Sequence, residues 1–147
     1  MKRLLLNVIV LVFLVGLLAG CSNSNGVVPS PPQEAEKFVG LWINQDQSSP
    51  KINVTKCRIE LVGKNLYIDL WCRVSTAGEN YIGQQIIDAE EAKNGVLELT
   101  WVADLGVHVD RLTLVDNDNK LKIYSTFNPY NPNWSVVTST DYLLKAE

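Results

Sequence analysis

The 147-residue chain contains one histidine, three cysteines and one methionine, and these scarcities remove whole classes of chemistry. A structural zinc site needs four ligands, and Cys57 and Cys72 with one distant imidazole fall short of that number. No Cys-x-x-Cys pair is present to run thiol exchange, and no serine sits in a Gly-x-Ser-x-Gly elbow. A charge of −3, from 13 basic and 16 acidic residues, offers no basic surplus to attract nucleic acid or an anionic lipid surface. His108 lies near Asp104 and Asp110, the beginnings of an acid–base pair. Strict alternation, however, sets His108 and Asp110 opposite Val107 and Val109, on a solvent side. The sequence therefore predicts no catalytic residue, no metal and no cofactor. Long apolar runs are equally scarce. Leu4–Leu18 is the single one, about 15 residues interrupted by Asn7, short of the roughly 20 that a spanning helix needs.

That run has an informative frame. Lys2 and Arg3 precede it and Leu18-Ala19-Gly20-Cys21 closes it. A basic head, an apolar core and small residues before a cleavage point make a secretory signal. The closing tetrad resembles the lipobox of bacterial lipoproteins at all four positions. The resemblance implies removal of residues 1–20 as signal peptide, diacylglycerol on the Cys21 sulfur, and acylation of the new amino group. At about 0.8 kcal/mol per buried methylene, two or three acyl chains hold a protein firmly on a bilayer without crossing it. Ser22, rather than Asp, follows the cysteine. In a two-membrane bacterium this favours the outer membrane, facing the periplasm; in a single-membrane cell the address is the outer face of the plasma membrane. The mature chain keeps 11 basic and 16 acidic residues, a charge of −5.

Residues 21–36 are the lipid-bearing Cys21 followed by SNSNGVVPSPPQEAE. Small polar residues and Pro29, Pro31 and Pro32 bury too little apolar area to offset ordering, so a flexible tether is expected.

Residues 37–147 form one domain in which the apolar period is two. Leu66, Ile68, Leu70, Cys72 and Val74 alternate with Tyr67, Asp69, Trp71 and Arg73, and Leu97, Leu99 and Trp101 alternate with Glu98 and Thr100. Such runs are strands with one buried face. About eight are expected, near 38–44, 51–62, 66–75, 80–88, 95–102, 106–115, 120–127 and 134–145. Turn-forming residues separate them, including Gly63-Lys64-Asn65 and Asp116-Asn117-Asp118-Asn119. The latter lacks the glycine and distal glutamate of a calcium loop, so it reads as a hairpin turn. Alternation slips between Val54 and Cys57 and between Val109 and Leu112, which a β-bulge in each strand would repair. Gln84 is placed inward with Ile82 and Ile86, and Thr138 and Thr140 with Val136 and Tyr142. The fold class is all-β. A small antiparallel barrel of about eight strands removes exposed edges; a two-sheet sandwich is the alternative.

A hairpin turning around Lys64-Asn65 sets Cys57 opposite Cys72 on the apolar side, within reach of a disulfide. The compartment beyond the cytoplasmic membrane permits that bond. The same register sets Glu60 beside Asp69 on the outer face.

Phe38-Val39-Gly40-Leu41-Trp42 opens the first strand and Ile43-Asn44-Gln45-Asp46 ends it. This resembles the Gly-x-Trp start of lipocalins and other calycin-like barrels. The resemblance implies an eight-stranded up-and-down barrel in which Gly40 and Trp42 plug one end. The arginine that in such proteins covers the tryptophan from the last strand has no evident counterpart. The functional expectation is a non-catalytic, membrane-anchored envelope lipoprotein. Its barrel binds a small apolar or amphipathic ligand; the alternative is an adaptor, assembly factor or inhibitor that engages an envelope protein through the barrel surface.

Overall fold

The computed structural model describes residues 32–46, 53–73 and 78–147, and the backbone but not the side chain of Asn53. The signal segment, Cys21 and the tether as far as Ser30-Pro31 lie outside the described residues. Eight strands are present: β1 (Gly40–Asn44), β2 (Asn53–Val62), β3 (Asn65–Arg73), β4 (Glu79–Asp88), β5 (Val96–Ala103), β6 (Gly106–Val115), β7 (Lys120–Pro129) and β8 (Val137–Lys145). All pair antiparallel in one sheet, in the order β4-β3-β2-β1-β8-β7-β6-β5. The chain thus runs as two four-stranded meanders joined where β8 returns beside β1.

The sheet curls into a barrel that is nearly closed. Its end strands, β4 and β5, meet through side chains rather than a backbone ladder. Gln85 Nε2 donates to the Thr100 carbonyl at 2.9 Å. Beside it the Trp101 ring lies over Gly83, where a β carbon would come within 3.2 Å of the indole. Between these strands a 3-10 helix, Ala89–Asn94, is started by the Asp88 carboxylate accepting from the Glu90 N–H.

One end is plugged. Helix α1 (Gln33–Phe38) takes in the last residues assigned to the tether. Its acidic residues Glu34 and Glu36 lie in the first turn and Lys37 in the last, complementing the helix dipole. Ala35 and Phe38, three apart on one face, are fully buried. A helix this short draws its stability from that burial and not from its own hydrogen bonds. Lys37 also reaches Asp118 in the β6–β7 turn, at 3.7 Å. Ala89 and Ala92 of the 3-10 helix are buried in the same cluster, with Trp42, Leu66, Ile68, Leu97, Leu112, Leu121, Ile123 and Leu143. Each such large side chain contributes about 1.5–3 kcal/mol on leaving water.

Several expectations need correction. The β2–β3 turn is the two-residue Gly63-Lys64, with Val62 opposite Asn65 and Gly63 at φ 61°. A turn of this length favours glycine at the left-handed first position. It shifts the register by two residues, so Cys57 faces Leu70 and Cys72 faces Val54. Cys57 and Cys72 are free thiols, not a disulfide. By the same shift Asp69 faces Arg58, not Glu60. The bulge between Val54 and Lys56 is present. The one expected between Val109 and Leu112 is not: β6 pairs without interruption with both β5 and β7. A bulge instead separates Leu70 from Trp71 in the β3–β4 ladder. Ile82 packs on the core as expected. Beyond it in β4, and throughout β8, the inward phase is opposite to that expected, and Gln84 turns to Asp69 on the outer face. Ile86, Tyr142, Thr138 and Thr140 are exposed, whereas Asp141 and Leu143 are buried.

Candidate functional site

The half of the barrel away from α1 has a different lining. Regular alternation through β6 sends Gly106, His108, Asp110, Leu112 and Leu114 inward, so Asp110 is fully buried instead of solvated. Its carboxylate accepts from Ser125 Oγ of β7 at 2.5 Å and from Trp101 Nε1 of β5 at 2.9 Å. His108 Nε2 lies 3.8 Å away, its ring edge-on to Phe127 at 6.2 Å between centroids. Asp104, the other acidic neighbour of His108 in sequence, is exposed in the β5–β6 turn.

A second buried carboxylate, Asp141 of β8, accepts from the Val54 N–H at 3.1 Å and from Asn44 Nδ2 at 3.2 Å. Asn44 Nδ2 also donates to the Val54 carbonyl. These bonds tie β8, β1 and β2 together at the end of the barrel away from α1. Burial, reinforced by the charge of Asp110, raises the Asp141 pKa above the ordinary carboxylate value, and the two donors only partly offset this. Burial also pushes both thiols up, Cys57 most strongly, with Asp110 adding to each. A thiol so placed stays protonated and is a poor nucleophile. Ser125 donates to a carboxylate and not to an imidazole, so the Ser-His-Asp order of an acyl-transfer site does not occur among the described residues. Nor do three metal-ligating side chains converge among them.

At the closed end, Trp42 is fully buried and its Nε1–H donates to the Phe38 carbonyl at 2.8 Å. The Lys145 ammonium from β8 lies 5.2 Å from the Trp42 ring centroid. Gly40, at φ 146°, makes room for it: a β carbon there would sit 2.5 Å from Lys145 Cε.

The outer face of β2–β4 carries a third constellation. Asp69 points away from the core and yet is only 3% exposed. Arg58 binds it at 2.8 and 3.1 Å, Tyr81 Oη at 2.6 Å and Gln84 Nε2 at 3.2 Å. Trp71 stacks at a tilt on Tyr81, with Lys56 4.2 Å above its ring. The Asp69 carboxylate is satisfied by side chains from β2 and β4, which makes the patch a cross-strand staple.

Alternation alone could not have found Asp110 or Asp141, because each competes with an adjacent apolar residue for the inward side. Comparison with protein-family models and with curated proteins finds no match to this sequence. No helix among the described residues is long and apolar enough to cross a membrane.

Proposed function

We propose that this protein is a non-catalytic bacterial envelope lipoprotein, anchored through acyl chains on Cys21, whose barrel takes up a small amphipathic molecule at its open end. The observation that carries the reading is the lengthwise split of the interior. Behind the Trp42 plug the barrel is filled with leucine and isoleucine, while toward the mouth it is lined by Asn44, Asp110, Ser125 and Asp141. A core built only for stability has little use for two buried carboxylates whose described partners are neutral donors, with His108 the nearest imidazole. The Trp42–Lys145 contact over Gly40 supports the calycin-like resemblance; the lipobox supports the anchor, and Ser22 favours the outer membrane if the cell has two membranes.

Solvent extraction and native mass spectrometry of the protein purified from membranes test the ligand. A co-purified amphiphile, and saturable displacement of N-phenylnaphthylamine by it, are the expected results. An empty protein that gives no saturable probe signal overturns the carrier reading. A second reading, an adaptor working through the barrel surface, is favoured by the exposed Tyr81 and Ile86 on the outer face of β4. Crosslinking in intact envelopes that captures one specific protein through Tyr81 supports it.

A further inference from the structure

Two neighbouring connections at the mouth form an apolar rim. Val102 and Leu105 stand on the β5–β6 hairpin, and Tyr130, Trp134, Val136 and Val137 on the β7–β8 connection, each at least half exposed. The connections are joined: the Tyr130 N–H donates to the Leu105 carbonyl at 2.9 Å, and Gly106 pairs with Pro129. Pro129 and Pro132 restrict the longer connection, and the Asn131 side chain accepts from the Asn133 N–H. Its aromatic residues are thus held outward and not folded onto the barrel.

Charge is distributed against this rim. Across 102–106 and 128–137 the one charged residue is Asp104. At the plugged end Lys37 meets Asp118, Lys64 meets Asp88 and Lys120 meets Asp116, whereas at the other end the ion pair Lys56–Glu79 lies on β2 and β4, outside these two connections. A protein partner is commonly met by a wide polar border around an apolar centre. Trp and Tyr with valine, leucine and asparagine and almost no charge match instead the interface of a bilayer, where an aromatic ring buries its body and keeps its polar edge wet. Within these two connections the absence of lysine and arginine points to zwitterionic lipid over anionic lipid.

We infer that this rim docks on the surface of a zwitterionic phospholipid bilayer, inserting Leu105 and Trp134. Docking on the anchoring membrane rests on the acylation of Cys21. Ser22 to Pro32 spans at most about 36 Å when extended. A ten-residue strand such as β6 is about 33 Å long, or roughly 25 Å of barrel height once tilted. The tether is therefore long enough for the mouth to turn back to the bilayer that holds it.

The test uses the full-length protein purified from membranes, its acyl mass recorded, and reconstituted into phosphatidylcholine vesicles with or without bromine on the upper acyl carbons. Bromine-dependent loss of tryptophan emission is expected in the wild type, and Trp134→Phe and Leu105→Asp should each abolish most of it. Quenching without acyl mass supports the rim and refutes the anchor. Co-flotation with vesicles and acyl mass but no quenching overturns the rim alone. A dimer in detergent that Leu105→Asp dissociates, with no quenching, shows that a second copy covers the rim and also overturns it.

Discussion

Asp69 and Asp141 are two buried carboxylates whose surroundings drive them in opposite directions. For Asp69 burial acts to raise the pKa, but the Tyr81 hydroxyl, the Arg58 guanidinium and the Gln84 amide outweigh it, and the result lies below the ordinary value of 3.8. Its stabilising contribution is therefore full above 3.8 and fades as pH falls through the lowered value. Asp69→Asn should cost about 2 kcal/mol at neutral pH, typical of lost hydrogen bonds to a charged group. In urea unfolding the deficit should shrink below pH 3.8. Asp141 has the reverse sign. Its raised pKa means that the folded state holds the proton more tightly than the unfolded chain. Ionisation thus costs stability above the raised value, and that cost vanishes as pH is lowered toward 3.8. Relative to Asp141→Asn, the wild type should gain stability over that descent, and the Asp141 carboxyl carbon should titrate above 3.8 by NMR.

The elements of the barrel depend on single contacts at its two ends. At β1, Gly40 combines a positive φ of 146° with the close approach of Lys145. The lysine is flexible and can move, but the backbone conformation cannot be taken by alanine without strain. Gly40→Ala should cost about 1–3 kcal/mol, read as a lower unfolding midpoint, and should displace Lys145 from the Trp42 ring. At the seam, Trp101 does two things: its ring covers Gly83 between the end strands, and its N–H satisfies buried Asp110. Trp101→Phe keeps a ring there and leaves the carboxylate one donor short, at about 1–3 kcal/mol. Trp101→Ala also removes the wedge and should cost about 3–5 kcal/mol. The same urea titrations measure both, and equal losses would show that the ring contributes nothing to holding β4 against β5.

At the scale of the whole molecule, the free thiols and the proposed anchor meet in one measurement. The chain has three cysteines, of which Cys57 and Cys72 are reduced. The denatured, unreduced protein purified from membranes should titrate two thiols when Cys21 carries its thioether, and three when it does not. In the folded state Cys57, buried with its pKa raised, should be silent until unfolding.

Particular residues show where sequence reasoning stops. The period of two around Leu66–Cys72 and Leu97–Trp101 was enough to place strands, and eight of them with short turns left a barrel as the economical way to hide their edges. The inward side of β4, β6 and β8 was not legible in the same way. Ile86 and Ile87, Val109 and Asp110, Tyr142 and Leu143 each present two neighbours that can occupy a buried position, and alternation has no preference between phases. Partners made the choice. Asp110 goes inward because Ser125 and Trp101 arrive from β7 and β5, and Asp141 because Val54 and Asn44 arrive from β2 and β1. Local periodicity thus determined the all-β class and the strand count, since each is a property of a few consecutive residues. Register, the separation of the cysteines, the seam and the buried acids were decided only by the tertiary structure. A two-residue shift at Gly63-Lys64 changes which side chains meet while leaving every strand intact, and hydrogen bonds between distant strands set the price of burying a charge.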